Sequence, residues 1–223
     1  MYTTILFDSD DTLLDFHASE RKAIFEAFKQ AKLYFNNEML SVYSEINRSL
    51  WKALERGELT TDELLTERFK QFFAQYGYVY DPKAFNDLYF HCLADTDFVM
   101  DGALKVLEAL KDRYELNVIT NGVGYIQTSR LGKSDLRKYF KKLYISEEIG
   151  ANKPSKTFFD YVLSDLSEKD RSKILVIGDS LTSDIKGANT VGLDSVYIGN
   201  SSNIGEIKPT YSVTDIKQIL EII

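Results

Sequence analysis

Short runs rich in apolar residues, each stopping at polar residues or glycine, recur along this chain and limit what it can fold into. They are Ile5-Leu6-Phe7, Leu116-Asn117-Val118-Ile119, Lys142-Leu143-Tyr144-Ile145, Ile174-Leu175-Val176-Ile177 and Ser195-Val196-Tyr197-Ile198. Each is too short for a buried helix and has the length of a strand. Helical spacing of apolar residues separates the later runs, at about 103–113, 156–166 and 182–191. Short apolar strands alternating with helices specify a parallel sheet covered on both faces, because helical crossovers must pack on it.

The first run stands apart from the others. Between it and the next lie four helical patterns, at about 17–33, 38–55, 61–76 and 82–93, punctuated by Asn36, Asn37, Gly57 and Gly77. No convincing strand interrupts them, and the stretch is too long for a simple loop. The expected architecture is an α/β, Rossmann-like doubly wound core made of residues 1–15 and 97–223, with an all-helical cap domain at 16–96 inserted after the first strand.

Composition removes several classes of function. The formal charge is −7 and no long Lys/Arg tract occurs, so binding to a nucleic-acid polymer is not expected. No apolar run approaches the 18 or so residues of a membrane span, and no basic-then-apolar leader opens the chain, so the expectation is a cytoplasmic protein without a membrane partner. The single cysteine, Cys92, excludes an internal disulfide and reads as a small core residue. No pattern in the residues sets an oligomeric state.

In a doubly wound sheet, ligands bind beyond the carboxyl ends of the strands. The first run ends in Asp8-Ser9-Asp10-Asp11-Thr12, and alternation puts Asp8 and Asp10 on one side, roughly 6 to 7 Å apart. Like charges that close call for a cation or a shared proton between them; a solvated acidic turn is the plain alternative. Thr120 ends the second run, Asp179 follows a later one, and Lys153 lies in the loop after Ser146. A carboxylate cluster, a hydroxyl and an ammonium, each at a strand end, form one constellation.

These residues resemble the haloacid dehalogenase superfamily of aspartate-nucleophile phosphohydrolases. The matching segments are Asp8-Ser9-Asp10-Asp11-Thr12, Thr120-Asn121-Gly122, Lys153-Pro154, and Gly178-Asp179-Ser180 with Asp184. The helical insert between the first two is similar in placement to the cap of the family's first subfamily. The wording at 10–16 and 178–189 is similar to the family's pyrimidine 5′-nucleotidase branch.

The resemblance implies a phosphomonoester hydrolase that works through an aspartyl phosphate, with a small phosphorylated metabolite, a nucleotide by the branch, as partner. A carboxylate attacks an anionic phosphate only when a cation offsets the repulsion, so Asp8 as nucleophile requires Mg²⁺. Asp8 and Asp179 are the expected carboxylate ligands, Asp10 contributes its main-chain carbonyl, and Asp184 holds a metal water or orients Lys153. Asp10 is expected to protonate the leaving oxygen and then to take a proton from the hydrolytic water. Thr120, Asn121 through its amide, and Lys153 are expected to bind the phosphoryl oxygens. Thr12 supports the loop, Asp11 has no catalytic task, and Ser9 points away and should tolerate small replacements.

In the cap, Asn47, Trp51 and Arg68 resemble positions of the nucleotidase branch and are expected substrate contacts, with helix packing as the alternative. His17 and His91 receive no role. The rival functions are phosphatases of other metabolites such as a sugar phosphate or phosphoglycolate, and a phosphomutase. A dehalogenase would not need Asp10, and the helical insert argues against a phosphorylated receiver module. Cap opening and closure is the expected gate.

Overall fold

The computed structural model describes residues 1–200 and 205–223. The chain divides into two compact units, one made of Met1–Phe16 with Asp97–Ile223 and the other of His17–Thr96.

The first strand, β1 (Thr4–Phe7), is wholly buried. Four helices follow: α1 (Phe16–Gln30), α2 (Asn37–Glu55), α3 (Thr61–Tyr76) and α4 (Pro82–Ala94). The α/β unit then continues with α5 (Ala103–Leu110), β2 (Glu115–Thr120), α6 (Gly124–Lys133), β3 (Lys142–Ile145), α7 (Ser146–Ile149), α8 (Lys156–Asp165) and β4 (Ile174–Gly178). A π turn (Leu181–Ile185) leads into α9 (Lys186–Thr190), and β5 (Asp194–Ile198) and β6 (Tyr211–Val213) complete the sheet among the described residues.

All neighbouring strands are parallel, in the order β3-β2-β1-β4-β5-β6. Alternation along the strands builds a core on each face. Ile5, Phe7, Val118, Leu175 and Ile177 pack with α5, whereas Leu6, Ile119 and Val176 pack against Phe158, Phe159 and Val162 of α8. Strand order turns outward on either side of β1, so the ends of β2, β1 and β4 lie next to each other, and a crevice forms at such a reversal.

Among the elements named above, α6, the short α7 and the edge strand β6 were not anticipated from sequence. The reason for α6 is chemical. Its buried residues include Gln127 and Arg130 beside Ile126 and Leu131, so its inner face carries no continuous apolar stripe.

In the helical unit, local chemistry sets the boundaries. The Asn36 side chain caps α2 by accepting from Met39 N, Thr60 and Glu63 form a capping box on α3, and Asp81 precedes Pro82 at the start of α4. Gly77 ends α3 at φ 71°, a left-handed conformation that glycine adopts without a steric cost. Phe28, Phe69, Phe72, Phe73 and Phe85 interlock in edge-on and tilted contacts at the centre of this unit.

Candidate active site

The site is built within the α/β unit from the segments that leave β1, β2 and β4, together with the loop before α8. Asp8 directly follows β1, and its amide donates to Ile177 O at 2.8 Å, which locks the first residue of the turn to β4. Asp11 takes the left-handed conformation at φ 57°, and its carboxylate accepts from Phe16 N at 3.0 Å. Asp11, for which no catalytic task is expected, is therefore a residue that shapes the turn. Leu13 and Leu14 then donate back to Ser9 O.

Lys153 is the centre of the cluster. Its ammonium donates to Asp8 Oδ1 at 2.5 Å, to Asp184 Oδ1 at 2.7 Å and to Ile119 O at 3.0 Å, and the side chain is buried. Asn121 holds the lysine's main chain, accepting from Lys153 N at 2.8 Å and donating to Lys153 O at 2.9 Å. The end of β2 is thereby tied to the lysine loop through an amide side chain. The expected role of Asn121 is through its main-chain amide, and the side chain adds this second one. Thr120 is buried, and its hydroxyl accepts from Gly122 N at 3.0 Å.

Asp184 is fully buried on the π turn and also accepts from Ser180 N at 3.1 Å. Gly178 makes this possible, because a Cβ there would lie 2.3 Å from Asp184 Oδ2. The Thr12 hydroxyl lies 3.5 Å from Asp179 Oδ1.

Carboxylate oxygens of Asp8, Asp179 and Asp184 all lie within 4.8 Å of one another. Burial pushes the Asp8 carboxyl up to about 8, against the pull of Lys153, and Asp184 adds to the rise. Burial also raises Asp179 well above the usual carboxylate range, helped by Asp8 and Asp184. Burial opposes the Lys153 charge, but Asp184 and Asp8 outweigh it and hold the ammonium above its ordinary value. Three carboxylates against one ammonium leave negative charge unmatched in a poorly solvated place. That donor set, all hard oxygen, fits a divalent cation such as Mg²⁺.

Asp10 stands apart. Its carboxylate is outside the cluster and faces α6, where Arg130 Nη1 donates to Oδ1 and Gln127 Nε2 donates to Oδ2 at 2.6 Å. Ser9 is buried, and its hydroxyl donates to Gln127 Oε1 at 2.8 Å. Ser9, for which tolerance of small replacements is expected, is held by that contact. It faces away from Asp8, but into a buried polar contact rather than open space. Neither Gln127 nor Arg130 was anticipated; the available signal was a Gln and an Arg at i, i+3 just after Thr120-Asn121-Gly122.

The expected substrate contacts of the helical unit divide. Arg68 donates to Asn47 Oδ1 at 3.3 Å and to Asn86 Oδ1 at 2.6 Å, and its guanidinium lies about 5 Å from the ring centroids of Phe69, Tyr89 and Phe90. Asn47 donates in turn to Glu20 Oε1 at 2.8 Å. Both side chains are buried and tied into that unit's interior, as the helix-packing alternative has them. Trp51 is partly buried against Leu50, Leu54 and Leu64.

Polar groups converging on the carboxyl ends of parallel strands mark a Rossmann-like α/β enzyme. Comparison with known proteins narrows this class. A profile for haloacid dehalogenase-like hydrolases matches residues 2–192, and the chain belongs to that family. It is 37% identical to the HAD-hydrolase YfnB of Bacillus subtilis over all of this chain and 95% of that protein. It is 34% identical to the pyrimidine 5′-nucleotidase PynA of Streptococcus pneumoniae, over 99% of this chain and 94% of that one. It is 30% identical to the pyrimidine 5′-nucleotidase YjjG of Escherichia coli, over 98% and 96%. A crystal structure of YfnB bound to magnesium matches with a TM-score of 0.94 over 99% of this chain and 98% of that one. Among the described residues, no helix is long and apolar enough to cross a membrane.

Proposed function

We propose that this haloacid dehalogenase-family phosphatase hydrolyses pyrimidine nucleoside 5′-monophosphates through a phosphoryl group carried on Asp8. The buried contact of Asp8 with Lys153, beside Asp179 and Asp184, is the observation that carries the chemistry. The names of PynA and YjjG support the substrate class.

Asp8, Asp179 and Asp184 would hold Mg²⁺, with Asp10 contributing through its main-chain carbonyl. Bound there, the ion offsets the repulsion between the Asp8 carboxylate and the phosphate dianion. An Asp8 oxygen forms a bond to phosphorus as the ester P–O bond breaks, and Asp10 gives its proton to the departing alkoxide. A water then attacks phosphorus and transfers a proton to Asp10, and the Asp8 O–P bond breaks to release phosphate. Throughout, Lys153, the Thr120 hydroxyl and the Asn121 amide receive the phosphoryl oxygens, where donors gain most as charge builds. Lys153 gives up its bond to Asp8 to do so and keeps Asp184 as its anchor.

Asp8→Asn removes the nucleophile and should abolish Mg²⁺-dependent hydrolysis of 4-nitrophenyl phosphate while leaving the folded protein intact by circular dichroism. Turnover that survived would remove Asp8 from the reaction. For the substrate, kcat/KM across UMP, dUMP, purine nucleotides and sugar phosphates decides; sugar phosphates ranking above UMP and dUMP would overturn the nucleotidase reading.

A further inference from the structure

Helix α6 buries an arginine and a glutamine, which is costly unless both find partners. A buried guanidinium loses its hydration, and an unpaired buried amide costs free energy of its own. Both spend donors on the same carboxylate. Arg130 Nη1 donates to Asp10 Oδ1, and Gln127 Nε2 donates to Asp10 Oδ2. The Ser9 hydroxyl donates to Gln127 Oε1, which turns the amide so that its nitrogen faces Asp10. Gly122 leaves room for that amide, because a Cβ there would lie 2.2 Å from Gln127 Nε2. Arg130 is also set 5.9 Å below the ring centroid of Phe16, the first residue of α1.

The two sides of this contact differ in exposure. The Arg130 side chain is 1% exposed, whereas Asp10 is 28% exposed. The donors grip the carboxylate from the protein side and leave its other side open. An ionised carboxylate has about four lone-pair positions. The grip uses one on each oxygen, so each oxygen keeps another for a proton. It also holds Asp10 out of the Asp8, Asp179 and Asp184 cluster, where a fourth carboxylate would add to the repulsion.

We propose that Arg130 and Gln127, with Ser9 behind them, are positioning residues that aim the Asp10 carboxylate for proton transfer. This rests on the reading of Asp10 as the group that protonates the leaving oxygen. Proton transfer needs heavy atoms within hydrogen-bond reach, and an aspartate on a turn reaches that placement reproducibly only if its carboxylate plane is fixed. Two donors on two oxygens fix the plane.

The test compares two esters of similar shape, phenyl phosphate and 4-nitrophenyl phosphate, on the full chain with Mg²⁺. The phenyl ester releases the more basic oxygen and depends more on a proton donor. General acid assistance is worth typically 10²- to 10⁴-fold, so the kcat/KM ratio of nitrophenyl to phenyl ester should rise by at least about 10-fold in Asp10→Asn. Arg130→Met and Gln127→Met should raise it in the same direction, Arg130→Lys should restore part of the loss on phenyl phosphate, and adding Arg130→Met to Asp10→Asn should raise the ratio no further. A purely structural role would lower both esters together. A ratio unchanged in Arg130→Met and Gln127→Met but raised in Asp10→Asn would overturn the inference and leave the Asp10 reading standing. A ratio unchanged in Asp10→Asn as well would overturn both. If Arg130→Met does not fold, Gln127→Met, which keeps nearly the same buried volume, decides alone.

Discussion

At the scale of single residues, the site depends on small groups that leave space for charged ones. Gly178 is the clearest case, because Asp184 occupies the volume a Cβ would need and cannot drift away while Lys153 and Ser180 N hold it. Gly178→Ala should therefore destabilise the protein by about 1–3 kcal/mol, the usual penalty for overpacking, and depress kcat by displacing Asp184 from Lys153. Thermal denaturation and steady-state kinetics of the same preparation check both. Asn121 bonds to the main chain of Lys153 in both directions. Asn121→Ala would leave that amide and carbonyl unpaired at about 1–3 kcal/mol for a buried group, so Tm and phosphatase activity should fall together. As candidates, Asp8 and Asp179 were legible because each directly follows a strand, and Lys153, past α7, and Asp184, on the π turn, through the family's motifs; what their neighbours do was not, since side-chain contacts between distant segments leave no mark in spacing.

At the scale of elements, β1 to β5 and most helices follow from apolar periodicity, because their buried faces are apolar. Helix α6 escapes that reading for the opposite reason: the residues that fasten it to Asp10 are Gln127 and Arg130. Its importance is visible only once β1 and β2 lie side by side. In the helical unit, the Thr60 and Glu63 capping box makes a separate prediction. Thr60→Ala should cost about 1 kcal/mol in chemical denaturation. Arg68, singled out in the sequence by resemblance to the nucleotidase branch, has its guanidinium engaged by Asn47, Asn86 and three rings.

At the scale of the whole molecule, crowded carboxylates link folding to pH and to metal. Asp8 and Asp179 are raised in the folded protein, so between about pH 4, where free aspartates ionise, and about pH 8 the native state binds protons that the unfolded chain has released. Metal-free protein should accordingly lose stability as pH rises through that window. Mg²⁺, which binds the ionised cluster, should raise Tm more at pH 8 than at pH 5, by scanning calorimetry with and without chelator. An equal rise at both would contradict the cluster as the metal site. The sequence by itself determined the parallel α/β core, the position of the helical insert and the polar residue types beyond the strands, because alternation and strand-end polarity are local properties written in adjacent residues. Only the tertiary structure decided that Lys153 bridges Asp8 to Asp184, that Asn121 fastens the lysine loop, and that Asp10 turns toward α6. Those are contacts between residues up to 145 positions apart, brought together by strand order, and nothing local specifies which buried donor meets which carboxylate.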